Sequence, residues 1–263
     1  MEDTAPDTFV LGANLPWVRY GTDFGSNAWH PDGGIGAHPD PARLLALLRA
    51  LRAHGVRVVR WFALCDGRAG VRFDDDGTPR GLDPLVWRDL DAALGLIDAA
   101  GLQLLPVLLD YLWCAPARRV NGVTLGGRRS SISHPRQRAA LLDAVIDPLV
   151  SRYGGEPVIA GWDLLNEPEW VTFGAGTWRP LDSVSQGTMR RFLRDAAARV
   201  HAGAVQPVTV GSASARWLGL VRGLGLDFYQ VHWYEPLERR APLARPVRAL
   251  GCDRPVLLGE FPT

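Results

Sequence analysis

A chain of 263 residues and 28.7 kDa is long enough for one α/β barrel, which typically needs about 250 residues, so a single domain over 1–263 is expected. A net charge of +1 with 22% charged residues offers no basic face for nucleic acid or an anionic membrane, and no apolar stretch reaches the roughly 18 residues of a membrane span. All 29 basic side chains are arginine, which excludes chemistry that needs a lysine amine, such as Schiff-base aldol cleavage or pyridoxal phosphate catalysis.

In chain order, short apolar runs alternate with helical stripes. Residues 9–14 read as a first strand. Asp40-Pro41 places an N-cap before a proline at the first helical position. Leu44, Leu47, Leu48 and Leu51 then share one helical face. His54-Gly55 closes that helix, glycine tolerating the left-handed position that follows one, and 56–62 is a β-branched and aromatic strand. Asp83-Pro84 opens a second helix with Leu90, Ala93, Leu94 and Ile97 on one face. Gly101 ends it, and 102–109 is a nearly continuous apolar run. His134-Pro135 opens a third helix, bent near Pro148, before a strand at 158–165. Met189, Phe192, Leu193, Ala196 and Val200 mark a fourth helix, and 208–212, 226–234 and 255–260 are the remaining strands.

Strands this apolar, separated by helices, predict a parallel sheet covered by helices. A doubly wound sheet would carry a glycine-rich phosphate turn after its first strand, and Gly12-Ala13-Asn14-Leu15-Pro16 is not one. The expectation is therefore α/β, of the (β/α)8 TIM-barrel type. Seven strands are visible; a closed barrel has eight, and the chain stops three residues after Glu260. The eighth is missing from this reading. The unpaired edges near Val10 and Val256 then predict marginal stability or self-association through the open barrel edge.

Cys65, Cys114 and Cys252 are widely spaced, which argues against a disulfide framework or a zinc knuckle. Residues 1–4 show neither a basic patch nor an apolar leader. A cytoplasmic location is the default expectation, or secretion if a leader has been removed.

Barrel enzymes place their chemistry at the C-terminal ends of the strands. Those ends carry Asn14 and Trp17, Arg60, Asp110 and Trp113, Asn166 and Glu167, His232 and Tyr234, and Glu260. Two carboxyls at such a mouth suit glycosidic bond cleavage. Glu167, preceded by an amide that can reach a sugar 2-hydroxyl, fits the acid/base. Glu260 fits the nucleophile, kept ionised by Arg60 and a Tyr234 hydroxyl, and His232 is placed to tune the pair. Trp17, Trp113, Trp170 and Trp178 lie at strand ends or in the loops beyond, where an aromatic face can stack on a sugar. Trp61 and Trp233 alternate with inward residues and should point away from the lumen, and Trp87 and Trp162 read as packing residues. The acids Asp66, Asp74, Asp75, Asp76 and Glu169 read as a solvated face. His30 and His38 are too sparse for zinc, no metal-binding motif is present, and catalysis should need no cofactor.

The set formed by Arg60 in Val58-Val59-Arg60-Trp61, Asn166-Glu167-Pro168, His232-Trp233-Tyr234 and Glu260 in Leu258-Gly259-Glu260-Phe261 resembles clan A glycoside hydrolases. It is most similar to the cellulase and mannanase type grouped as family 5, and the resemblance runs over 9–263. It implies a retaining hydrolase of β-mannan or β-glucan type, with acid/base after strand four and nucleophile after strand seven. Two departures stand out. Leu109-Asp110-Tyr111-Leu112-Trp113 has Leu112 where the family commonly shows a histidine lining the cleaved sugar's subsite, and the eighth strand usually carries an aromatic platform. Two other readings remain open: a non-catalytic or inactive truncated sugar-binding barrel, and a barrel enzyme using Glu167 for proton transfer without a glycosyl intermediate.

Overall fold

A computed structural model of the chain describes residues 10–234 and 246–261; the predicted strand start at Phe9 lies outside them. The first strand is β1 (Gly12–Asn14). A glycine-rich loop follows and is pinned to the helix layer by one buried acid: Asp89 accepts hydrogen bonds from the Gly25, Gly34 and Gly36 amides at 2.8, 2.9 and 2.8 Å. A Cβ at position 34 would lie 1.9 Å from the Asp23 carbonyl oxygen, so only glycine allows this approach.

Helix α1 (Pro41–Ala53) starts as its sequence dictates, with the Asp40 carboxylate accepting from the Arg43 amide at 2.9 Å. Its stripe is narrower than the spacing predicts: Leu44 and Leu48 are buried while Leu47 is exposed. Strand β2 (Val58–Phe62) is followed by an antiparallel hairpin, β3 (Val71–Phe73) with β4 (Pro79–Leu82), that the alternation did not predict. Helix α2 (Leu85–Ala99) buries the four apolar positions expected of it, and β5 (Gln103–Asp110) succeeds it. A second unpredicted hairpin pairs β6 (Arg118–Val120) with β7 (Val123–Leu125).

The third predicted helix is three pieces beyond a short α3 (Ser130–Ser133): α4 (Pro135–Leu141), a π-helical turn at Leu142–Ile146, and α5 (Asp147–Tyr153). Pro148 has no N–H to continue the i→i−4 ladder, and the wider turn just before it absorbs the break. Strand β8 (Trp162–Asn166), helix α6 (Gln186–Gly203), and strands β9 (Val208–Ser212), β10 (Tyr229–His232) and β11 (Val256–Glu260) complete the order. In α6 all five predicted stripe residues are buried.

Seven strands form one parallel sheet in the order β1-β2-β5-β8-β9-β10-β11, curled into a nearly closed (β/α)8-type barrel. Two irregularities aim the site. Asp163 pairs with Thr209 but Asn166 with Gly211, so β8 carries one residue more than β9. Val231 pairs with Leu258 but His232 with Glu260, leaving Gly259 as the extra residue in β11. Such bulges re-aim side chains near functional sites. At position 259 a Cβ would fall 2.5 Å from the Gln230 Cγ.

Among the described residues, β1 and β11 are the sheet's edges, and a side chain links them: Asn14 Nδ2 donates to the Gly259 carbonyl at 2.8 Å. Val10, Leu11, Leu258 and Phe261 are exposed along these edges. Trp61, as expected, faces away from the lumen, packed edge-on against Phe24 and donating to Asp23 at 2.8 Å. No helix among the described residues is long and apolar enough to cross a membrane.

Candidate active site

Arg60 is the centre from which the site is built. It is buried, at the end of β2, and satisfies all three guanidinium nitrogens. Nε and Nη2 each lie 2.9 Å from Asp163 Oδ2, Nη2 donates to Asn166 Oδ1 at 2.7 Å, and Nη1 donates to Glu260 Oε1 at 2.6 Å and to Asn14 Oδ1 at 3.3 Å. Burial opposes its charge, but Asp163 and Glu260 more than offset that and raise its pKa further. One side chain thus ties four strands, β1, β2, β8 and β11, at their C-terminal ends. Gly211 on β9 makes room for it: a Cβ there would meet Arg60 Nη2 at 2.8 Å and Gln230 Nε2 at 2.7 Å.

Glu260 accepts from Arg60 on one oxygen and from the Tyr234 hydroxyl at 2.9 Å on the other. Burial, with Glu260 beside it, pushes the Tyr234 hydroxyl up to about 12, so it remains a donor through the neutral range.

Glu167 sits differently. Its backbone is left-handed, φ 50° and ψ 52°, a conformation that costs a non-glycine residue on the order of 1–2 kcal/mol. Its amide donates to the Gly211 carbonyl at 2.6 Å. The β8 bulge and this turn together let consecutive residues Asn166 and Glu167 both face the lumen, which strict strand alternation forbids. The carboxylate accepts from His232 Nδ1 at 2.8 Å and from the Trp170 indole at 2.9 Å.

The His232 tautomer follows from its neighbour. Gln230 Nε2 lies 3.0 Å from Asp163 Oδ2, an acceptor, and 3.3 Å from His232 Nε2. Asp163 requires the amide nitrogen on that side, so Nε2 of the imidazole accepts and Nδ1 carries the proton donated to Glu167. The same Nδ1 is 3.7 Å from Glu260 Oε2. One oxygen each of Glu167 and Glu260 and one His232 nitrogen lie within 4.8 Å of one another. These are three potential metal-ligand atoms, but each already has a protein hydrogen-bond partner.

Around this centre Asn166 Nδ2 donates to Asp110 Oδ2 at 2.9 Å, which fixes the amide and leaves one N–H for a ligand. Burial raises the Asp110 carboxyl to about 7, against the lowering effect of the Leu112 amide and Asn166. Glu169 is wholly buried and also raised to about 7 by burial, with the Ala213 amide 3.1 Å from one oxygen.

Of the predicted site residues, the structure brings together Arg60, Asn166, Glu167, Trp170, His232, Tyr234 and Glu260. Trp17 is half-buried, its ring edge-on to Phe62 at 5.2 Å and to Tyr20 at 4.5 Å. Trp113 is a correction: it is wholly buried, donates to Ser131 at 2.8 Å and packs against Phe73, so it has no free face for a sugar. Two loop acids are corrected as well. Asp66 is buried against Arg68 and Glu169 is buried beneath Glu167, while Asp74, Asp75 and Asp76 are exposed as expected. Sequence reasoning missed Asp163, Gln230 and Trp217. A period-2 signal was there for the first two. Gln230 lies two residues before His232, and Asp163 lies four before Glu167, on the strand that leads into it. Trp217, edge-on to Trp170 at 5.4 Å, had no such cue.

No family model matches the sequence. The chain is 25% identical over 293 residues to a mannan endo-1,4-beta-mannosidase of Mytilus edulis, covering 96% of this chain and 75% of that protein. The fold matches a beta-1,4-mannanase from the sea hare Aplysia kurodai with a TM-score of 0.77 at 22% identity, over 96% of this chain and 79% of that one. It also matches a beta-1,4-D-mannanase from Cryptopygus antarcticus with a TM-score of 0.75 at 20% identity, over 96% and 76%. In fold, site and sequence the chain resembles the glycoside hydrolases of the clan A barrel class. Within that class the chain is family 5-like and similar to the mannanase type.

Proposed function

We propose that this chain is a single-domain retaining hydrolase of β-1,4-linked mannan, with Glu260 as nucleophile and Glu167 as acid/base. The observation that carries the reading is the pair of carboxylates at one barrel mouth, oxygens within 4.8 Å, in opposite surroundings. Retaining enzymes hold their carboxyls about 5–5.5 Å apart, too close for a water between them. Arg60 and Tyr234 stabilise negative charge on Glu260, while Glu167 is held by neutral donors, His232 and Trp170.

In the first step a Glu260 oxygen bonds to the anomeric carbon as the glycosidic C–O bond breaks, and the Glu167 proton goes to the departing oxygen. In the second, water attacks that carbon, its proton passes to Glu167, and the Glu260 ester bond breaks. The remaining Asn166 N–H is placed to bind the 2-hydroxyl of the reacting sugar. The names of the relatives support mannan over glucan; the site geometry supports the two-step mechanism.

Hydrolysis of mannohexaose followed by NMR should first release the β-anomer. Glu260→Ala should lose turnover and recover part of it with azide, giving an α-glycosyl azide. Glu167→Ala should keep more activity on aryl glycosides with good leaving groups, where protonation matters less. An initial α-anomer, or equal losses on every substrate without rescue, rejects these roles. Mannohexaose binding without hydrolysis would instead favour the sugar-binding barrel. The exposed Val10 and Leu11 before β1, with Leu258 on β11 and Phe261 after it, support a further part of this reading, that the chain self-associates through that edge.

A further inference from the structure

Away from the carboxylates, the loops after β1, β2 and β5 line an open cavity of about 470 Å³, bounded by Tyr20, Trp29, Asp66, Arg68, Leu112 and Leu125 with Arg118 at its exposed rim. Its walls are tied before any ligand arrives. Arg68 grips Asp66 with a two-pronged contact, Nε to Oδ1 at 2.9 Å and Nη2 to Oδ2 at 2.8 Å, and both side chains are more than nine-tenths buried. The Arg68 guanidinium lies 4.3 Å from the Tyr20 ring centre and 5.8 Å from that of Trp29. The Trp29 indole donates to the Asn121 carbonyl at the tip of the β6–β7 hairpin, and the Gly126 amide donates to the Asp66 carbonyl at 3.1 Å.

The floor carries two charges that cancel, presented beside two aromatic rings. That chemistry suits a neutral polyhydroxylated ring: hydroxyls bond to a fixed donor–acceptor pair while the C–H face lies on an aromatic. An isolated anion would meet Asp66, and an isolated cation would meet Arg68. Because the walls are preformed, little ordering cost falls on binding.

The cavity is also joined to the carboxylates by an unbroken run of ring contacts. The Arg60 guanidinium, which holds Glu260, lies 5.1 Å from the Phe62 ring. Phe62 meets Trp17 at 5.2 Å, Trp17 meets Tyr20 at 4.5 Å, and Tyr20 meets Arg68. We propose that this cavity is a remote subsite for a neutral hexose of the same oligosaccharide chain whose bond is cleaved at Glu167 and Glu260. The proposal rests on the glycosidase reading above and adds the residues that recognise the distant end of the substrate.

The test compares long and short substrates in Tyr20→Ala, Trp29→Ala and Trp29→Phe. For mannohexaose, kcat/KM should fall about tenfold in the two alanine variants, the size of a lost aromatic anchor, and less in Trp29→Phe. For an aryl β-mannoside, which occupies only the sugars next to the cleaved bond, all three should match the parent chain. Equal losses on both substrates, or none on the hexamer in folded Tyr20→Ala and Trp29→Ala, overturn the subsite. Should the parent chain hydrolyse neither substrate, the glycosidase reading fails. The cavity is then judged by calorimetry with mannohexaose: weaker binding in Trp29→Ala upholds it, and unchanged or absent binding overturns it.

Discussion

The middle of the sheet and its two edges carry the site by different means. Strands β8 and β9 are buried along their whole length and β5 nearly so, whereas β1 and β11 are partly exposed at every residue. Glu167 leaves the buried middle, and backbone sets its position: a bulge, a left-handed turn and an amide bond to β9. Glu260 ends an edge strand that, among the described residues, pairs with β10 alone; the Gly259 bulge turns it, and side chains hold it there: Arg60, Tyr234 and the Asn14 link to Gly259. A reactive group at an edge keeps its place when buried side chains supply what a second neighbouring strand would otherwise provide.

Removing the central arginine should break that arrangement most severely. Arg60→Met leaves Asp163, fully buried, without its charge partner, and a broken buried pair costs about 3–5 kcal/mol. Urea unfolding should show a loss of that size, with activity abolished. A loss below about 1 kcal/mol would mean that Gln230 and the Gly211 amide suffice for Asp163.

The buried middle should also set the pH dependence. Asp110 and Glu169 have folded pKa values raised to about 7, so the native state holds protons that the unfolded chain releases near 4. Their contribution is full below about pH 4, is lost as pH rises through 7, and is constant above. Melting temperature should therefore fall over that window, and Glu169→Gln should flatten the fall. A variant as steep as the parent chain would remove Glu169 from this account.

A smaller effect tests the edge itself. Asn14→Ala deletes the bonds to Gly259 and Arg60 and should cost about 1 kcal/mol. Hydrogen exchange should quicken at β11 amides while those of β8 stay slow. Equal acceleration in both strands would show that edge and middle open as one unit. The smallest effect is expected for Leu258→Lys, at an exposed edge position, with stability unchanged within about 0.5 kcal/mol. Sedimentation should show less self-association than in the parent chain; identical behaviour would place any association elsewhere.

The alternation of apolar runs and helical stripes was legible because each element satisfies a local rule. Asp40-Pro41 caps α1, Met189 to Val200 form one stripe of α6, and 208–212 matches β9 to the residue. Glu167 and Glu260 were legible for a related reason. A polar residue ending an apolar strand run has few places to point except the barrel mouth. The hairpins β3–β4 and β6–β7 were not, because three- and four-residue strands in loops leave too short a pattern to detect.

Trp113 marks the limit most clearly. It shares its strand-end position with residues that meet at the barrel mouth, and a 3-10 turn after β5 swings it into the core. Asn166 and Glu167 face the same lumen only because β8 bulges against β9, and a bulge is a mismatch between two strands 46 residues apart in sequence, from Asp163 to Thr209. The sequence by itself determined the seven main strands, the helices between them, their order and the placing of Glu167 and Glu260 at strand ends, since local propensity and apolar periodicity act within a few residues. The tertiary structure decided which side chains meet: Arg60 with Asp163 and Glu260, Gln230 with Asp163, and Arg68 with Tyr20 and Trp29. Those contacts depend on register, bulges and loop packing between distant segments, and no local pattern encodes them.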